Sequence, residues 1–161
     1  MNDNMQISDN GLRLIMKSEG CSLESYIDTH DDHGAPLYAI GFGHQSKAGP
    51  PNVTAGMVIT QDQAEQILKQ DLIPFQNYIR KYVTVPLNQN QWDALVSFTY
   101  NCGPGSMHSL VGTSGLNNGN YDKVSDEMMN YNKSQGKVLL GLTRRRHAEG
   151  ALFNTPVGNI L

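Results

Sequence analysis

Residues 19–44 read EGCSLESYIDTHDDHGAPLYAIGFGH, and the change of period inside this stretch decides the fold class. Before it, Ile7, Leu12, Ile15 and Met16 recur at helical spacing behind Ser8, a good N-cap, so a helix is expected over about 9–18, closed by Glu19-Gly20. From Leu23 to Ile27 the helical spacing is gone and the residues suit a strand. THDDHGAP (29–36) has the composition of a turn, and Leu37–Phe42 is β-rich again. A small hairpin or three-stranded sheet therefore follows the first helix.

Further along, SKAGPPNVTAG (46–56) is a loop, and Thr60 with Gln63 forms a capping box that opens a helix through Ala64, Ile67, Leu68 and Leu72. Pro74 should kink or restart that helix, with Phe75, Tyr78, Ile79, Tyr82 and Val83 continuing its apolar face. Asn88 with Gln91 opens another helix through Trp92, Leu95, Val96 and Thr99, closed by Gly103-Pro104-Gly105, and Trp92 reads as core. Shorter helical patterns lie near Met107–Leu116, Tyr121–Tyr131 and Arg144–Phe153, with KSQGKVLLG (133–141) as a loop between the last two. The expected architecture is α+β within a single domain over 1–161. A small β-containing lobe of about 1–72 and a helical lobe of about 73–161 share a long connecting helix, and a ligand is expected in the cleft between such lobes.

Charge and composition narrow the function. Lys and Arg number 12 against 15 Asp and Glu, a net −3, and charged residues make up 17% of the 161 residues, below the usual quarter, which argues against a nucleic-acid partner. The charge is uneven, at −5 over residues 1–80 and +2 over 81–161, where Arg144-Arg145-Arg146-His147 is the densest cationic run. Opening the last helix, those cations would sit in an unfavourable macrodipole field, a cost that hints at pairing with acids of the first half or at binding an anionic polymer. No apolar run approaches the length of a membrane span, so no membrane insertion is expected. The opening MNDNMQISDNGLRLIMKSEG lacks a cationic head followed by an apolar stretch, so the reading is synthesis in the cytoplasm without a signal peptide. Cys21 and Cys102 make neither a metal pair nor a disulfide framework and read as reduced thiols.

Four ordered segments carry a resemblance. They are Glu19-Gly20 with Tyr26, Asp28 and Gly41-Phe42-Gly43-His44; ITQDQAEQILKQD (59–71); FTYNCGPG (98–105); and GLTRRRHAEGALF (141–153). Together, in this order along nearly the whole chain, they resemble the phage-type lysozymes, the endolysin family. The resemblance implies a two-lobe lysozyme-like fold, cleavage of the β-1,4 bond between N-acetylmuramic acid and N-acetylglucosamine in peptidoglycan, and an inverting attack by water. It implies no cofactor, no metal and a monomer. Action on the wall in the periplasm would need a holin-type partner or delivery by a secretion apparatus.

The residues fit that chemistry. Glycoside hydrolysis uses one carboxylic acid to protonate the leaving oxygen and a second carboxylate to support water or the developing oxocarbenium charge. The acid needs apolar or partly desolvated surroundings and the carboxylate a wetter one. The resemblance assigns Glu19 to the first role and Asp28 to the second; read alone, they are a helix-end acid and a turn acid. Tyr26, Gly41, His44 and Asn101 are the candidate substrate-binding residues, Asn101 being equally readable as a helix-terminal cap. His44 is also expected to pair structurally with Asp71, an ion pair that would hold the Asp71 carboxyl low.

One position departs from the family. Ala39 stands where relatives carry a threonine whose hydroxyl helps hold the attacking water, and a methyl neither donates nor accepts a hydrogen bond. The connection between Asp28 and Ala39 is also longer than usual, so Thr29, Asp31, Asp32 or His33 are candidates to supply the polar atom. Alternatively the chain is a lytic transglycosylase, which needs the acid but no placed water, or a weakened peptidoglycan-binding variant. His30-Asp31-Asp32-His33 carries metal-ligand residue types, yet four adjacent turn residues cannot all converge on one ion.

Overall fold

Local capping starts three of the helices in the computed structural model, which describes residues 1–158. In α1 (Asp9–Glu19) the Ser8 hydroxyl accepts the Gly11 N–H at 3.3 Å. In α2 (Gln61–Tyr82) the Gln63 N–H donates to Thr60 Oγ1 at 3.1 Å, and the Thr60 N–H donates to Gln63 Oε1 at 2.8 Å. The same reciprocal box joins Asn88 and Gln91 ahead of α3 (Gln89–Cys102), with bonds of 2.8 and 2.9 Å. These three expectations hold because the signal spans only three or four residues.

Between α1 and α2 runs an antiparallel sheet in the order β1 (Ser22–His30), β2 (Pro36–Gly41), β3 (His44–Gln45). Tyr26 of β1 lies opposite Ala39, which in turn lies opposite Gln45. The register slips between Ile27 and Thr29, so Asp28 occupies a bulge, the device by which a strand re-aims one side chain. The far edge of β1 is partly paired as well: Ser25 N–H donates to Met57 O and Ile59 N–H to Leu23 O, both at 2.9 Å.

The backbone divides into two compact units, one of residues 16–73 and one of residues 1–15 with 74 onward. The first unit buries Ile40, Phe42, Ile59, Ala64, Leu68 and Leu72. The second is helical, with α3 packed on α6 (Leu140–Phe153) and with α4 (Pro104–Ser114) and α5 (Val124–Met128) around them. Its core holds Trp92, Phe98, Met107, Leu110 and Phe153, and the Trp92 indole N–H donates to Gln76 Oε1 at 3.2 Å. This division takes residues 1–15 out of the expected first lobe. They are tied to the helical unit by Ser8 N–H to Asp93 Oδ1 at 3.0 Å, Ile7 N–H to Gln76 Oε1 at 2.8 Å and Asn2 Nδ2 to Val85 O at 2.9 Å.

The helical boundaries depart from expectation at several points. α2 is continuous through Pro74, because Leu68 and Leu72 before it and Ile79 and Val83 after it are all buried, while Gln70 and Pro74 lie on its exposed side. α4 begins at Pro104, whose fixed φ suits a first helical position, and Gly103 at φ 92° makes the joint with α3. The expected helix near 121–131 is a short 3-10 turn, Tyr121–Lys123, running into α5. The loop 133–141 contains a hairpin of β4 (Lys133–Ser134) and β5 (Lys137–Val138). α6 starts at Leu140, so the arginine run lies inside the helix instead of opening it, and the expected macrodipole cost does not apply.

Candidate active site

Glu19 is the last residue of α1 and is half-buried. The helix stops there because Gly20 takes φ 70°, with its N–H still bonded to Met16 O at 3.1 Å. A Cβ on Gly20 would meet nothing within 4 Å, so the requirement for glycine is purely the left-handed backbone. Asp28 is exposed at its bulge, and Gln45 Nε2 donates to its Oδ2 at 2.5 Å. Gln45 was not among the residues singled out from sequence. It arrives from β3, seventeen positions away, through a register that no local motif encodes.

Tyr26 relates the two carboxylates. It is 40% exposed, and its hydroxyl is pushed up first by burial, then by the negative charges of Asp28 and Glu19. All three groups thus share one electrostatic neighbourhood within the unit of residues 16–73. Ala39, in the strand row between Tyr26 and Gln45, is fully buried. Of the turn residues expected to compensate for its methyl, Asp31 also builds the turn itself, its Oδ1 accepting the His33 and Ala35 N–H groups, both at 2.9 Å.

Two of the substrate-binding candidates lie inside the unit instead. Gly41 is buried at φ 66°, with Ala64 Cβ 3.4 Å from where its own Cβ would stand. His44 is 1% exposed, its Nδ1 2.7 Å from Asp71 Oδ2 and its Nε2 2.9 Å from Pro51 O. With both ring nitrogens occupied, His44 has no edge left for a sugar. The pairing with Asp71 is as expected, but its electrostatics are reversed: burial pushes the Asp71 carboxyl up, and the hydrogen bond and charge of His44 only partly pull it down. Pro51 O and Asp71 Oδ2 face both ring nitrogens, so a proton must sit in the His44–Asp71 bond.

In the helical unit Asn101 sits on the last turn of α3, where its Oδ1 accepts Arg146 Nη2 at 2.8 Å. Arg146 also bonds Tyr131 O at 3.2 Å and the Cys102 thiol, which burial pushes up. Arg145 and Arg146 turn inward onto Glu149, with Nε–Oε2 3.2 Å and Nε–Oε1 2.7 Å, and Ser97 Oγ donates to Glu149 Oε2 at 2.5 Å. This buried network was missed from sequence, although the three- and four-residue spacings within one helix carry its signal. Both cysteines are free thiols.

A family model described as Phage lysozyme matches residues 16–149. The endolysin of Bacillus phage B103 is 38% identical over 151 residues, covering 94% of this chain and 55% of its own length. The endolysin of Salmonella phage P22 is 38% identical over 149 residues, covering 92% of this chain and 98% of its own. The chain thus spans about half the length of the Bacillus phage relatives it matches, 55% and 56%, and nearly all of the Salmonella phage one. Among solved structures, a P22 lysozyme variant superposes with a TM-score of 0.80 at 35% identity, covering 94% of this chain and 99% of that one.

Proposed function

Because this chain belongs to the phage lysozyme family, we propose that it is a peptidoglycan hydrolase that cleaves the β-1,4 bond between N-acetylmuramic acid and N-acetylglucosamine, lysing bacterial walls. Glu19 protonates the leaving oxygen. Asp28, steadied by the Gln45 amide, is the second carboxylate. The observation that carries this reading is that Glu19 ends α1 and Asp28 occupies the bulge of β1 within the same compact unit, with Gln45 bonded to Asp28, and the charges of both acids raising the Tyr26 hydroxyl support it. Tyr26 and Asn101 are the remaining candidates for contact with the glycan. The protein works as a monomer, without metal or cofactor, on the wall in the periplasm, and a holin-type partner or a secretion apparatus delivers it there.

Ala39 favours a second reading. A buried methyl in place of the family hydroxyl leaves the attacking water without that hydrogen bond, as expected of a lytic transglycosylase or of a weakened, glycan-binding variant. Mass spectrometry of digested peptidoglycan separates these outcomes. Hydrolysis leaves a reducing muramic acid, and transglycosylation leaves an anhydro end. A protein that pellets with the wall but releases neither product is a binding module.

A further inference from the structure

The joint KSQGKVLLG, for which the enzymatic reading has no use, is where the fold leaves aliphatic side chains in water. β4 and β5 form a ribbon closed by Gln135 and Gly136, at φ 51° and 79°, a hairpin turn that fixes the tip. Every residue from Lys133 to Gly141 is exposed, with Val138 at 59%, Leu139 at 45% and Leu140 at 64%. The base of the ribbon is nevertheless tied down. Leu139 N–H donates to Asn132 O at 3.0 Å, Asn132 Nδ2 to Thr143 Oγ1 at 3.2 Å, and Thr143 N–H to Leu139 O at 3.0 Å. The aliphatic run is therefore held at the surface by its backbone.

The ribbon's own stretch of chain carries charge of one sign. No Asp or Glu occurs between Met128 and Ala148, while Lys133, Lys137, Arg144 and His147 are all exposed there. We propose that this ribbon and the first turn of α6 are a peripheral docking point for the anionic face of a lipid bilayer. The lysines alone would suit any polyanion. The three adjacent aliphatic side chains decide for lipid, since they gain by leaving water for the acyl boundary and gain nothing from an aqueous polyphosphate or glycan. The lysine stems can lie along that boundary while their ammonium groups meet headgroup phosphates. Among the described residues no helix is long and apolar enough to cross a membrane, so the contact lies on the bilayer and does not span it. The inference is independent of the hydrolytic reading.

Co-sedimentation at low salt with vesicles of phosphatidylglycerol mixed with phosphatidylcholine tests it, against phosphatidylcholine vesicles alone and a soluble polyphosphate. The parent should bind the anionic vesicles and not the neutral ones. Lys133→Gln with Lys137→Gln should lower the partition roughly twenty-fold, and Leu139→Ser with Leu140→Ser roughly tenfold, both with melting temperature and wall hydrolysis unchanged. Leu140→Trp should show a blue-shifted emission on the anionic vesicles, easily read because the chain has a single other tryptophan, the buried Trp92. Absence of parent binding, or a Leu140→Trp emission that does not move, overturns the proposal. So does anionic-vesicle binding that the serine pair leaves intact, which would mark a site for polyanions.

Discussion

Acidic side chains are used in opposite ways in the two units. In residues 16–73, Asp28 is exposed and held by one amide, and Glu19 is half-buried at a helix end. In the helical unit, Asp93 and Glu149 are fully buried. Asp93 accepts the Ser8 N–H, the Ser8 hydroxyl and Gln89 Nε2, while Glu149 accepts Ser97 and both arginines. A carboxylate that meets a substrate keeps access to water. One that joins distant segments gives that up and must have its charge balanced by several donors. Asp71 stands between these cases: it is 6% exposed like the second kind, but among the described residues its side chain is bonded to His44 alone.

The largest effect should come from breaking the buried side of this contrast. Glu149→Gln leaves the guanidinium groups of Arg145 and Arg146 buried without their counter-charge and should cost about 3–5 kcal/mol, read by denaturant unfolding. A loss below about 1 kcal/mol would mean that water compensates the network and that the acid does not hold α6 to α3. Next, Glu19→Gln should lower wall hydrolysis by about two orders of magnitude or more with little change in melting temperature. Near-parental turnover in a folded protein removes Glu19 from the mechanism, and a large stability loss would place it with the buried acids instead.

Asp71→Asn should change stability by no more than about 1–2 kcal/mol at neutral pH, and its pH dependence is the sharper observation. Burial raises the folded pKa of Asp71 above its unfolded value, so the folded state holds that proton more tightly. The stability this carboxyl contributes is fully present below the unfolded value and is lost as pH rises through the folded one. The parent should therefore gain stability over Asp71→Asn on acidification through the carboxylate range. The opposite slope would make Asp71 a charge-stabilised acid, as an ion pair alone would predict.

The smallest expected effect is at Ala39. Ala39→Thr adds a hydroxyl and a β-branch that suits a central strand, and it should raise release of reducing ends by a few-fold if water placement limits the reaction. Its complete burial sets the opposing risk, since the added atoms must fit a filled site. Unchanged products favour the turn as the source of the polar atom and make Thr29, Asp31 and Asp32 the next residues to replace.

What the sequence by itself determined was local in range. The capping boxes at Thr60 and Asn88, the stop at Gly20 and the strand-turn-strand pattern after it are written within a few residues of where they act, because capping and turn geometry are decided by nearest neighbours. The candidate carboxylates were legible through the resemblance carried by the motif around Glu19 and Asp28, since read alone the two are a helix-end acid and a turn acid. Tertiary structure alone decided the rest. Gln45 reaches Asp28 by strand register, and Ser8 meets Asp93 across 85 positions. Gly11 must be glycine because Asp93 Cγ lies 2.7 Å from where its Cβ would stand. Helix α2 continues through Pro74 because burial on either side outweighs one missing backbone hydrogen bond. Contacts of that range depend on which faces pack together, and no window of neighbouring residues contains that information.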